Sequence, residues 1–179
     1  MDKIIYFKND GFRRDYCTGR VYVDLIDYAF EKADFFMLVY VNYYGKGYSK
    51  EKKYFRRKLE PYQIKSRTNP SWPGTPETFC PNSTYKVIFY KTNTEAKKVL
   101  QEVSCLSDWT SPSLPEDLAF FKGNQCWFYS VGHEKIGAFL HATDEDLDFI
   151  ESKGLASRER AFVPQDDYYN AYDEALITK

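Results

Sequence analysis

Two histidines and four cysteines are the residues of this 179-residue chain best suited to metal or nucleophilic chemistry. His133 and His141 follow Cys126, but no C-x-x-C or H-x-x-x-H spacing occurs. The pair His133-Glu134 continues as Lys135-Ile136-Gly137 and not as the zincin H-E-x-x-H. No metal site is expected. A cysteine nucleophile needs a base within hydrogen-bond reach and a lowered thiol pKa. If residues 126–141 form a hairpin, His133 sits at the turn, while His141 on the returning strand lies roughly opposite Cys126. Cys126/His141 is thus the best enzyme hypothesis, and it predicts that Cys126 alkylates ahead of the other three thiols. The competing reading is a small core residue in a strand.

Three clusters of carboxylates are candidates for acid–base work: Glu116-Asp117, Asp144 to Asp148 and Asp166-Asp167. Paired carboxylates act as acid and base only at matched distances in a cleft. The first pair precedes a strand, the second group serves a helix N-terminus, and the third sits in a further helical first turn. Structural roles account for all three, and no catalytic residue is assigned. Neither G-x-G-x-x-G nor G-x-x-x-x-G-K-S/T is present, so no nucleotide loop and no cofactor are expected.

Binding features are stronger. Residues 1–115 carry 19 basic and 13 acidic groups (net +6), residues 116–179 carry 6 and 13 (net -7), and the whole chain is -1. Most of the positive excess lies in 46–67. There a helix burying Phe55, Leu59 and Tyr62 leaves Lys50, Lys53 and Arg57 exposed with Tyr54 among them, a face that could meet a phosphate backbone and stack a base. The alternative is a solvated face, or complementarity with the acidic C-terminal third. Tyrosine and phenylalanine supply 16 and 14 residues, against 28 for isoleucine, leucine and valine together. Strands absorb much of that excess. Tyr43, Tyr44 and Tyr48 around a glycine turn, Trp72 and Trp109 in proline-rich loops, and Tyr168, Tyr169 and Tyr172 near the C-terminus remain as candidate protein contacts.

The elements that must position these residues follow from periodicity. Strands are predicted at 3–7, 35–42 and 85–90, and three short ones at 118–121, 126–131 and 136–141 form an antiparallel meander. Amphipathic helices are predicted at 22–33 and 50–60, after a capping box at Thr92 to Glu95, from Thr143 to Gly154, and from Pro164 to Leu176. Residues 63–84 and 106–115 read as long irregular loops. The fold class is α+β, a mixed and largely antiparallel sheet with helices mainly on one face, in a single domain over 1–179. The N-terminal apolar run is too short for a signal peptide or a span, and the cysteines read as reduced thiols, so a cytoplasmic protein without a membrane partner is expected.

The run Leu114 to Phe121, then Cys126-Trp127-Phe128 and Ser130 to Glu134, resembles the P-E-D-L, double-aromatic, Trp-strand, H-E signature of a family of small bacterial proteins of the Bacillota and of mobile or phage-derived regions. The T-x-E-D helix from Thr143 extends the likeness, which covers residues 113–155. It implies that strand, turn, strand and helix form one unit, and it supplies no catalytic residue. The expected role is recognition of another protein, of the toxin-neutralising or defence-inhibiting kind, with nucleic-acid binding through 46–67 as the alternative and a Cys126/His141 enzyme as a second one.

Overall fold

A computed structural model describes residues 3–156, and of 162–164 the backbone pairing. Eight strands form one sheet: β1 (Lys3–Tyr6), β2 (Phe35–Asn42), β3 (Gln63–Thr68), β4 (Thr84–Lys91), β5 (Glu116–Lys122), β6 (Gln125–Val131), β7 (Ile136–Phe139) and β8 (Phe162–Pro164). Their order is β3-β4-β2-β5-β6-β7-β1-β8, and every neighbouring pair is antiparallel. The helices are α1 (Arg20–Lys32), α2 (Lys50–Leu59), α3 (Thr94–Leu100) and α4 (Asp144–Ser152). The predicted α+β class, with helices mainly on one face, is what the structure shows.

β2 is buried along Phe36–Val41 because it lies inside the sheet with both faces covered. Its side chains alternate between two cores. Phe36, Leu38 and Tyr40 join the helical side with Leu25, Ile26, Phe55, Phe120 and Phe128. Met37, Val39 and Val41 join the opposite side with Trp72, Tyr85, Phe89 and Phe121. Tyrosine hydroxyls inside the helical core satisfy one another or the backbone: Tyr90 donates to Tyr40 at 2.9 Å, and Tyr22 to the Leu100 carbonyl at 2.6 Å.

Several expectations are corrected. Residues 63–68 are not loop but strand β3, paired with β4. As an edge strand of mostly polar, partly exposed residues it gives no apolar signal. The helix after β4 is capped by Asn93, whose Oδ1 accepts from the Ala96 amide at 2.8 Å, and not by Thr92, whose hydroxyl donates to the carbonyls of Ala33 and Asp34. Pro164 ends β8, opposite Lys3, rather than opening a helix, and the remainder of the helix expected to Leu176 lies outside the described residues. The capping box at Thr143 and Asp146 is present as read.

Candidate functional site

The pairing of β2 with β5 slips by one residue: Met37 faces Ala119, whereas Val39 faces Glu116. Asp117 absorbs part of the extra length with a φ of 58°, the left-handed region that an aspartate tolerates better than most side chains. This is a β-bulge, a device that re-aims side chains. In an unbroken strand Glu116 and Asp117 would point to opposite faces. Here both line one cavity of about 670 Å³ on the face away from the helices.

The cavity wall is aromatic. Tyr43 and Tyr44 enter from the turn after β2, Tyr85 from β4, and Trp72 and Phe79 from the 69–83 loop. That loop is fastened at several points. The Asn69 amide donates to the Tyr85 carbonyl at 3.0 Å, Trp72 and Thr75 exchange backbone bonds of 3.2 and 2.9 Å, and the Thr78 amide donates to the Pro70 carbonyl at 2.9 Å. Thr110, Ser111, Pro112 and His133 complete the lining, with Lys46 at the rim.

Asp117 is the clasp of the site. Its Oδ2 accepts from the Trp72 indole at 2.8 Å and the Thr75 hydroxyl at 3.2 Å, and its Oδ1 accepts from the Gly132 amide at 2.9 Å. Burial pushes its carboxyl up to about 6, and the neighbouring Glu116 charge adds to the rise, while the Trp72 and Gly132 donors oppose it. Gly132 is obligatory for packing: a Cβ there would collide with the Trp109 carbonyl oxygen. With three donors satisfying it, Asp117 joins the 69–83 loop to the turn after β6; the bonds are architectural.

Glu116 is differently placed. Its Oε1 accepts from the Tyr43 hydroxyl at 3.1 Å, and the residue is 7% exposed. Burial and the Glu116 charge together raise the Tyr43 phenol above its ordinary value. Behind it stands Lys52 of α2, also buried, whose Nζ donates to the Val41 carbonyl at 2.8 Å and the Ser111 hydroxyl at 2.9 Å. Burial lowers the Lys52 ammonium pKa, and Glu116 offsets part of that. At the mouth, hydrogen bonding from Ser83 and then Tyr44 draws the Cys80 thiol below its ordinary value.

Of the residues singled out from sequence, Tyr43, Tyr44 and Trp72 meet in this cavity. Lys50, Lys53, Tyr54 and Arg57 meet elsewhere, along an open hollow of about 480 Å³ on α2 that Glu51 and Phe55 also line. Tyr48 packs edge-on to Tyr40 with Arg56 over its ring, 6.4 and 5.8 Å between centres. Trp109 is corrected: it is wholly buried, gives its indole N–H to the Tyr22 hydroxyl at 3.0 Å, and belongs to the core. Tyr168, Tyr169 and Tyr172 lie outside the described residues.

The β6–β7 pairing runs to Phe128 opposite Phe139, with one further bond from the Leu140 amide to the Trp127 carbonyl; His141 follows the strand with a left-handed φ of 50°, and its Nδ1 lies 3.5 Å from the Gln125 side-chain amide. Cys126 is fully buried, however, and its thiol donates to the Phe128 carbonyl at 3.4 Å. The alkylation order expected from sequence is therefore corrected in favour of Cys80. Among the described residues no three His, Cys, Asp or Glu side chains converge as a metal set, and no helix is long and apolar enough to cross a membrane. Sequence reasoning passed over Glu116, Asp117, Phe79 and Cys80 as site residues. The available signal was two acids written directly into the apolar run Leu118 to Phe121, where strand burial extends to them. Compared with known proteins, the chain matches no family model, no curated protein and no solved structure.

Proposed function

We propose that the chain is a binding module that recognises another protein at the mouth of the aromatic cavity, as a toxin-neutralising or defence-inhibiting protein would. The observation that carries this reading is the rim. Phe79 is 90% exposed and Tyr44 is 57% exposed, and both border the same cavity. Large aromatics beside a concave pocket are the residues that anchor protein interfaces. A Tyr44→Ala/Phe79→Ala double variant, checked for folding by near-UV circular dichroism, tests it in affinity capture from the source cell. The expected result is a partner retained by the wild type and lost by the variant. Equal retention, or no retained protein, would overturn the reading.

A second reading has its own observation, the hollow shared by Lys50, Lys53, Arg57 and Tyr54. It supports nucleic-acid binding through phosphate contacts. Stacking there is limited, because the Tyr54 hydroxyl donates to Glu102 at 2.7 Å and Lys58 lies over its ring. Titration of a labelled oligonucleotide at low and moderate salt tests it, and no binding at low salt removes it.

A further inference from the structure

The two carboxylates under the cavity are satisfied to different extents. Both oxygens of Asp117 are occupied by three donors. Glu116 receives one, from Tyr43, at Oε1. Among the described residues no donor reaches Oε2, and no lysine or arginine forms an ion pair with Glu116. Lys52, whose charge acts on Glu116, gives two of its three ammonium donors to Val41 and Ser111 and none to Glu116. A carboxylate more than nine-tenths buried, lining a cavity and holding a spare acceptor, is incompletely hydrogen-bonded.

We infer that the cavity receives an arginine or lysine side chain from the partner protein, with Glu116 Oε2 as its anchor. The inference rests on the protein-recognition reading above and names what the partner inserts. A cationic donor supplies the missing charge-assisted bond. The walls suit its stem and head, since tyrosine, tryptophan and phenylalanine faces accept both alkyl chains and guanidinium or ammonium groups. An anionic side chain would meet two carboxylates, and an apolar one would seal Oε2 away from water without a partner. Of the other positive charges, Lys46 lies over the Tyr44 ring at 5.6 Å, His133 sits 3.7 Å from Glu134, and Lys52 stays behind the Tyr43 ring, 6.0 Å from its centre, held by Val41 and Ser111.

The Trp72 indole N–H, which reports on the cavity through its bond to Asp117, provides the readout. Its NMR signal, assigned with a Trp72→Phe variant, is followed during titration with N-acetyl-arginine methylamide, N-acetyl-lysine methylamide and the neutral isostere N-acetyl-citrulline methylamide. The two cations should bind saturably and at least about tenfold more tightly than citrulline, by the energy expected of one buried charge-assisted bond. Glu116→Gln should erase that preference. Glu116→Asp, which keeps the charge but draws it back by one methylene, should weaken the preference severalfold, and an undiminished preference there would also overturn the inference, so the test survives if Glu116→Gln misfolds. Citrulline binding as well as arginine, no binding by any probe, or a preference that persists in folded Glu116→Gln would overturn the inference. If Glu116→Gln captures the cellular partner as the wild type does while Tyr44→Ala/Phe79→Ala fails, this inference falls and the protein-binding rim stands.

Discussion

Two tryptophans donate their indole N–H groups to two buried aspartates, one on each side of the sheet. On the helical side Trp127 reaches Asp146 Oδ2 at 3.3 Å; on the other side Trp72 reaches Asp117 Oδ2 at 2.8 Å. Asp146 also accepts from the Tyr28 hydroxyl at 2.8 Å and from the amide and hydroxyl of Thr143, each at 2.9 Å. Its place at the start of α4 adds the favourable helix dipole. Asp117 has fewer donors, drawn from 45, 42 and 15 positions away, and Glu116 beside it adds like charge. One carboxylate closes a helix end, with Thr143 three positions away and Trp127 and Tyr28 19 and 118 positions away, and leaves nothing open. The other ties the 69–83 loop to the turn after β6 and, in doing so, frames a cavity.

The sharpest way to break that contrast is at two glycines, Gly132 bonded to Asp117 and Gly154 at the far end of the helix that Asp146 opens. Gly132→Ala forces a methyl group into the Trp109 carbonyl and should cost more than about 4 kcal/mol in urea denaturation, enough to unfold a marginal domain. Gly154→Ala after α4 meets no neighbour and bears only a left-handed backbone, at about 1 kcal/mol. Similar losses at the two sites would show that the turn after β6 yields more easily than its packing implies.

Next is truncation of the carboxylates themselves. Asp146→Ala strands four buried or half-buried donors and should cost about 3–4 kcal/mol by the same measurement. Asp117→Ala should cost less, about 2–3 kcal/mol, because its removal also relieves repulsion with Glu116. A reversed order would mean that the cavity side holds the fold more firmly than the helix side.

A pH series sharpens the electrostatic half of the comparison. The Asp117 carboxyl rises from 3.8 to about 6 on folding, so between those values the folded chain keeps a proton that the unfolded chain has released. Its contribution to stability is fullest below about pH 4 and is lost as pH rises through 6. The loss should approach 3 kcal/mol, at about 1.4 kcal/mol per unit, and should vanish from the wild-type slope in Asp117→Asn. Parallel slopes for the two proteins across pH 4–7 would remove this account.

The smallest effect concerns thiols at the mouth and in the sheet. Iodoacetamide at neutral pH should modify Cys80 severalfold faster than Cys17, Cys105 or Cys126 when followed by mass spectrometry. Cys17 and Cys126 are buried, and burial raises the Cys105 thiol to about 11. First modification at Cys126 would return attention to its pairing with His141.

How far these two sides could be read in the sequence differs for the same physical reason. Thr143 and Asp146 form their capping box within three residues, so local spacing reveals α4 and its cap. Strand β2 is equally legible, as a continuous apolar run bounded by polar residues. The cavity depends on a register slip between β2 and β5, and no local pattern encodes a slip. Its place among prolines marks Trp72 as a contact residue, and it does line the cavity, yet within the 69–83 loop it is nearly all buried. Trp109, in similar company, turned inward to Tyr22 and Phe55. Proline-rich composition marks an irregular path, not which way a ring on that path will face. β3 escaped notice because an edge strand needs backbone partners more than apolar side chains.

The strand order also sets a timetable. β1 lies between β7 and β8, and Ile5 pairs with Phe139, 134 positions later. At roughly 5–20 residues per second on a ribosome, that is a delay of about seven to thirty seconds during which two adjacent isoleucines, buried in the finished sheet, have no β7 to dock on. Pairing over so long a separation slows folding. The stretch first to emerge in this sheet is therefore among the last to be seated, and a newborn chain carries Ile4 and Ile5 uncovered until its meander has been made.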